Sequence, residues 1–423
     1  MVGSRRPAAA AATFVALCAG LVVLIVVLTP WRLPVGNPTA PVTVQQYFSP
    51  AQLSHSDAFY GAASWPAWLG LTASLVGAAV VAFGGLGTAA CRWVCGRLRA
   101  WPLRICSLAV LFLAFQAVIT APFAIWSSVV SRHYGMTVQT WWGWAQDRLF
   151  GWLLSVVMVC VALLVGGWLA HRFPLRWWIA ASTLSMVAVF GFSFAYPVVV
   201  EPIFNRVSPM PSSPLRTELL RSAARDGLNL SDVLVADASR RSSAYNAYVS
   251  GFGSTRQLVV YDNLLRAGPD AQVEVIVAHE LGHAREHDVL TGTVLASVAA
   301  GAGTVGIFLL LGSRWWRRRN GTGSLGDPVA VPFVLSLVVL GSFLAQPVEN
   351  AVSRHLEARA DLHSLVVTHD PTAYLLVQQR LATNNLAHLT PNPALAWWFD
   401  GHPSVLDRIS MGVAWAEEHG RTP

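Results

Sequence analysis

Residues 279–283 read His-Glu-Leu-Gly-His. On a helix, positions i and i+4 stack on one face, so His279 and His283 can offer both imidazoles to a single ion. Glu280 lies one residue round and can hold a water against that ion. Zinc lowers the pKa of such a water towards about 7, and the carboxylate can take its proton as it attacks a peptide carbonyl. The five-residue pattern also arises by chance, so its setting matters. Val273, Ile276, Val277 and Leu281 recur at helical spacing from a start near Pro269-Asp270, which predicts a helix that runs on toward a membrane span. A carboxylate such as Glu280 on that helix is costly unless it has a task.

A tetrahedral catalytic zinc, one per chain, needs a third protein ligand. The metzincin extension would put glycine at 286 and histidine at 289, where Glu286 and Val289 stand, so that class is excluded. The gluzincin solution is a glutamate from a later helix, and residues 348–367 offer Glu349 and Glu357. Glu357 has Asp361 four residues on, placed to hold a ligand histidine through its second ring nitrogen. Glu349 lacks such a partner, so Glu357 is the expected third ligand. His287, one turn beyond His283, would close the open position that hydrolysis requires and is read as supporting or solvated. His355, His363, His369 and His388 have no partnered spacing and are read as ordinary polar residues.

The elements that carry these residues belong to a membrane protein. Of 423 residues, 54% are apolar and only 12% charged, against about 25% charge in soluble domains. Seven apolar runs approach or exceed the length needed to cross a bilayer, at about 13–30, 68–90, 104–125, 150–170, 177–199, 290–312 and 329–347. The first follows Arg5 and Arg6 as in a signal peptide, but it is long and lacks a small-residue cleavage site, so it is read as a retained span. The chain divides into a membrane part (1–200), a polar segment with the zinc helix (201–289), two further spans (290–347) and a polar tail (348–423). Seven spans put the termini on opposite sides, and the two spans between the polar segment and the tail put those on one side, where the candidate residues can meet. The polar segment reads as a small α/β unit, with a helix over Pro214–Asp226 and strands over Asp232–Ala236, Asn246–Val249 and Arg256–Tyr261, the middle strand closed by a turn at Gly251–Gly253. The net charge of +7 comes entirely from arginine, clustered in short inter-span loops, which fits membrane orientation and not nucleic-acid binding. Five cysteines lie in or beside spans without a CxxC pair, so neither a disulfide scaffold nor a thiolate zinc site is expected.

Several stretches together resemble the type I CAAX prenyl endoproteases, membrane-embedded zinc peptidases of the gluzincin clan. They are Glu201–Pro211, Ser239–Phe252, Leu258–Leu265, the His279–His283 motif, Ser353–Asp361 and Gly401–Arg408, with His133–Met136 and Gln139–Asp147 upstream. The resemblance implies an α-helical integral membrane protein whose seven transmembrane helices form a barrel-like chamber, capped by a small α/β zinc metallopeptidase domain. It supports Glu357 as ligand and Asp361 as the residue behind a ligand histidine. It further implies that Asn246 and Ala247 lie on an edge strand where substrate backbone pairs. His402 would stabilise the oxyanion, and Arg408 would orient His402 or the metal-ligand helix.

The expected partners are the lipid bilayer and a peptide or membrane-protein substrate, prenylated or not. A bacterial-looking composition favours membrane or misfolded proteins as native substrates. The resemblance puts the catalytic face in the cytoplasm. About twelve arginines in the opposite loops, against Arg32, Arg132 and Arg148 on the catalytic side, pull the other way. The cytoplasmic placement is kept, because that rule weights long polar segments poorly. A non-proteolytic quality-control factor or scaffold with a vestigial site is the competing function. A transporter is set aside because the spans are almost free of charge.

Overall fold

The computed structural model describes residues 5–196, 206–243, 245–250, 256–321 and 323–422. The end of the fifth apolar run (197–199), Glu201–Asn205 of the stretch entering the polar segment, and the Gly251–Gly253 turn lie outside the described residues. The helices of the first half are α1 (Arg5–Leu28), α2 (Val44–Tyr47), α3 (Pro50–Phe83), α4 (Leu86–Arg97), α5 (Trp101–His133), α6 (Trp141–Arg172) and α7 (Trp177–Ala195). There follow β1 (Val207–Pro209), α8 (Pro214–Arg225), β2 (Asp232–Ala236), β3 (Ala247–Ser250), β4 (Gln257–Tyr261), α9 (Asp262–Ala267) and α10 (Asp270–Arg285). The chain ends with α11 (Asp288–Leu311), α12 (Arg314–Asn320), α13 (Ala330–Thr368), α14 (Pro371–Asn384), α15 (Pro393–Phe399) and α16 (Val405–Glu418).

Among the described residues, seven helices are long and apolar enough to cross a membrane: α1, α3, α5, α6, α7, α11 and α13. Neighbour contacts run α13–α3–α5–α6–α7–α11 and close through α11 against α13, with α1 packed outside on α11. A ring of six spans with one outrider results, which is the barrel-like arrangement expected. Lipid offers no hydrophobic drive between helices, so small and polar side chains hold them. Between α7 and α11, Ser193 Oγ lies 2.7 Å from Thr293 Oγ1, and Ser297 Oγ donates to the Met186 carbonyl at 3.1 Å.

Several spans are longer than their apolar cores, and two boundaries differ in ways that matter for the site. The second span ends at Phe83, and Gly84 and the left-handed Gly85 (φ 87°) turn the chain, so residues 86–90 belong to α4. The seventh span and the helix that follows it are one element, α13, which passes straight through Pro347. Proline costs a helix one hydrogen bond, a loss that neighbours absorb in a membrane bundle. At 39 residues α13 is about 58 Å long, nearly twice the roughly 30 Å hydrocarbon layer. Its second half therefore stands clear of the bilayer, carrying Glu357 and Asp361.

The polar segment forms a four-stranded sheet in the order β1-β2-β4-β3. β2 and β4 are parallel in the centre, and β1 and β3 are antiparallel edges. Leu258 and Val260 of β4 and Val233 of β2 bury against Leu219 of α8 and Val273, Val277 and Leu281 of α10. Sheet packing thus fixes one face of α10, and the opposite face carries the histidines.

Gly301 sits where α11 meets α7, and a Cβ there would lie 2.9 Å from Met186 Sδ. Gly301→Leu is expected to overpack this contact by about 1–3 kcal/mol. The check is a lowered Tm for the detergent-purified chain, against a near-unchanged Tm for Gly303→Leu, whose Cβ meets nothing within 4 Å.

Candidate active site

The metal-binding pattern lies in the last two turns of α10. α10 packs along the projecting half of α13. Gly282 makes this approach possible, since a Cβ there would stand 3.1 Å from His363 on α13. At that spacing Glu357 faces both histidines. His279 Nε2 lies 3.3 Å from Glu357 Oε2 and His283 Nε2 3.5 Å from Oε1. The two Nε2 atoms stand 3.1 Å apart. Among the described residues, these three form the one group whose ligand atoms all lie within 4.8 Å of one another.

Each imidazole is held from behind. His279 Nδ1 pairs with Asp361 Oδ1 at 3.0 Å, and His283 Nδ1 with Asp288 Oδ2 at 2.8 Å. Placing the proton on Nδ1 leaves each Nε2 lone pair aimed inward. Both carboxylates are themselves anchored. Arg408 of α16 grips Asp361, with Nε 2.7 Å from Oδ2, and Arg359 of α13 donates to Asp288 Oδ1. Arg408 is thereby paired with the carboxylate that stands behind His279.

Asp288 escaped the sequence analysis. The expected helix from 270 into the sixth span does not exist as one element. It breaks at His287, which takes a left-handed conformation (φ 57°, ψ 37°), and α11 starts afresh at Asp288. A non-glycine residue there costs about 1–2 kcal/mol, and the turn swings the Asp288 carboxylate back onto His283. The one signal in the sequence is an acidic residue five positions after the second histidine.

Burial opposes positive charge on the imidazoles, but their carboxylate partners outweigh it. Hydrogen bonds to Asp361 and Glu357 push His279 up to about 9, and those to Asp288 and Glu357 push His283 up to about 10. The site is built to favour a cation. Two neutral imidazole nitrogens and a carboxylate, all convergent and with their outer faces satisfied, fit a divalent metal ion. Burial also pushes the Glu280 carboxyl above its ordinary range, with the two imidazoles opposing.

A cavity of about 350 Å³ opens beside these groups, lined by Glu280, His279, Glu357, Asn246 and His402 among others. His402 is 67% exposed, and its Nε2 lies 3.5 Å from Glu357 Oε2. Asn246 stands just before edge strand β3. Its Oδ1 accepts from the Ala247 N–H at 3.0 Å, and Ala247 itself is buried. The remaining candidates lie elsewhere. Glu349 is exposed about two turns before Glu357. His287 is exposed, with its Nδ1 3.4 Å from Arg256 Nη2. His355 Nδ1 bonds the Ala351 carbonyl, His363 Nε2 pairs with Asp226 at 3.0 Å, His369 stacks on Trp415 and His388 on Tyr60.

Comparison with known proteins agrees on the family and the fold. Residues 209–415 match the model of peptidase family M48, and residues 35–206 match the CAAX prenyl protease N-terminal model of five membrane helices. The chain is 30% identical over 290 residues to the uncharacterized metalloprotease YhfN of Bacillus subtilis, covering 66% of each. It is 28% identical over 306 residues to a CAAX prenyl protease 1 homolog of Oryza sativa subsp. japonica, covering 68% of each. These alignments span about two thirds of the curated relatives. The crystal structure of S. mikatae Ste24p superposes with a TM-score of 0.78 over 96% of this chain and 98% of that one, and its 17% identity makes this a likeness of fold. With the two family models meeting end to end from residue 35 to 415, the chain belongs to peptidase family M48, as a multi-pass membrane metallopeptidase of the CAAX prenyl protease-like kind.

Proposed function

We propose that the chain is a zinc metalloendopeptidase that hydrolyses peptide bonds of membrane or misfolded proteins. His279, His283 and Glu357 would hold the metal, and Glu280 would act as general base. The observation that carries this reading is the convergence of two Nε2 atoms and one carboxylate, with each Nδ1 locked by its own aspartate. Zinc bound there supplies a Lewis acid that polarises the scissile carbonyl and eases deprotonation of water. The residues of the chain do the rest. Glu280, which lines the cavity beside the two histidines, accepts the proton of the attacking water. As the C–N bond breaks, the same carboxyl returns that proton to the departing amine. His402, at the mouth beside Glu357, donates to the carbonyl oxygen as it gathers charge. The free edge of β3, entered at Asn246 and Ala247, offers its main chain to an extended substrate.

Relatives carrying the name CAAX prenyl protease point to prenylated peptides as a further substrate class. A non-proteolytic scaffold would have no need to keep four reactive side chains together with two anchored aspartates.

Three outcomes test the reading. Glu280→Gln is expected to lower kcat by about 10²–10⁴-fold while metal analysis still finds one zinc per chain, and chelation should abolish activity until zinc is returned. Equal cleavage by the variant would sink the mechanism. Asp288→Asn should weaken zinc binding about 10–100-fold in competition with a chelator, because His283 loses its anchored partner. Orientation can be read separately. With the catalytic face cytoplasmic, a cysteine at Ser231 should resist a membrane-impermeant thiol reagent in intact cells and react after lysis.

A further inference from the structure

The cavity beside Glu280 runs along one face of α14. Tyr374, Val377, Gln378, Leu381, Ala382 and Asn385 all line it, at the three- and four-residue spacing of a helical stripe. Residues 374 and 385 are about 16 Å apart along the axis, the reach of about five residues of extended peptide. The Tyr374 end lies against the site, its hydroxyl 3.4 Å from the Arg408 carbonyl. The Asn385 end lies away from it.

Most of the stripe is apolar, faced by Val275 and Ile276 of α10. Gln378 and Asn385 are the exceptions. Gln378 is 4% exposed, and Asn385 Oδ1 is buried without a hydrogen-bond partner. An unpaired buried amide oxygen carries its whole desolvation penalty, which a purely structural wall would shed by having leucine there. Helix capping does not explain it, because the Asn385 main-chain N–H makes the closing bond to the Leu381 carbonyl. Leu386 follows in a left-handed conformation at φ 47°, the kind of strain that persists where neighbours over-determine it. Ser56 Oγ donates to the Ala387 carbonyl and pins the loop to α3.

We propose that Asn385 forms a specificity subsite on this stripe, about two turns beyond Gln378, that receives an uncharged polar side chain of the substrate, asparagine, glutamine, serine or threonine, a few residues from the cleaved bond. An amide presents both a donor and an acceptor, and those four side chains answer with both. A carboxylate could answer only the amide N–H and would leave Asn385 Oδ1 unpaired. An aliphatic chain would leave that oxygen unpaired. The inference rests on the peptidase reading and names the substrate feature its cavity selects.

The test uses the full-length chain in detergent. The Glu280→Gln variant, which binds without turnover, is loaded with zinc and incubated with a randomised peptide library, and retained peptides are sequenced. The expected result is one position enriched in Asn, Gln, Ser or Thr by about tenfold, the scale of one well-made hydrogen bond. Adding Asn385→Leu should switch that position to leucine or methionine, and Asn385→Asp should switch it to lysine or arginine, with other positions unmoved. Asn385→Ala, expected to abolish the enrichment at that position, serves if Asn385→Leu does not fold. Retained peptides without a polar position, or a profile that Asn385→Asp leaves unaltered, would overturn the subsite. Because retention is scored without cleavage, a wild-type chain that cleaves nothing counts against the peptidase mechanism alone.

Discussion

Two imidazole nitrogens facing each other at 3.1 Å, each with its opposite ring nitrogen against an aspartate, set the constraint on which this structure turns. With both Nδ1 atoms protonated, the facing lone pairs repel unless a cation stands between them. Asp361 and Asp288 enforce this arrangement, and each is tied down by an arginine. An ion pair buried this deeply gives little net stability as a pair, yet stranding one partner is costly, typically about 3–5 kcal/mol. The network is therefore better understood as a device for fixing orientation. The long α13, the close contact at Gly282 and the left-handed turn at His287 are the backbone features that let it exist.

The same constraint explains why the catalytic part needs the membrane part. Glu357 and Asp361 are held on the projecting half of a helix whose first half packs on α3 and α5 within the ring of spans. A rigid helix crossing the interface carries positional accuracy from the bundle to the site, without the slack of a linker. On the other flank, α10 and α11 join at His287, so the second histidine and its aspartate are fixed to the sixth span as well. Two spans thus present the two sides of one metal-binding group.

Much of this was legible in the sequence, for reasons that also mark where it stopped. The i, i+4 histidines and the i, i+4 relation of Glu357 to Asp361 are local periodicities, so spacing alone places them on helix faces. Strands β2 and β4 show as short runs rich in valine and leucine. Asp288 was not legible, because its role depends on a left-handed residue that is not glycine and so gives no signal of a break. The unbroken α13 was missed for the opposite reason. A proline and a fall in hydropathy at 347–348 look like an ending, yet the helix continues because packing on α10 and α16 replaces packing in the bundle. The partner of Arg408 was out of reach too, since it lies 47 residues away in the chain.

The contrast between Glu280 and His402 bears on how such a site works beside a membrane. The group proposed to move protons is packed where burial raises its pKa, while the one proposed to meet the oxyanion stands 67% exposed at the mouth. An open mouth lets a peptide slide in along the edge of β3 and the stripe of α14, but it also leaves the oxyanion partner wet, where its hydrogen bond is worth least. On the proposed reading the substrate itself would resolve the conflict. An extended segment laid between strand and helix would cover His402 and displace the water around it, so the full electrostatic advantage would arise only when a peptide fills the groove. A short ligand that reaches the metal without covering the mouth would bind and yet gain little acceleration. Length of contact, and not affinity at the metal, is then what separates a substrate from a passing chain end.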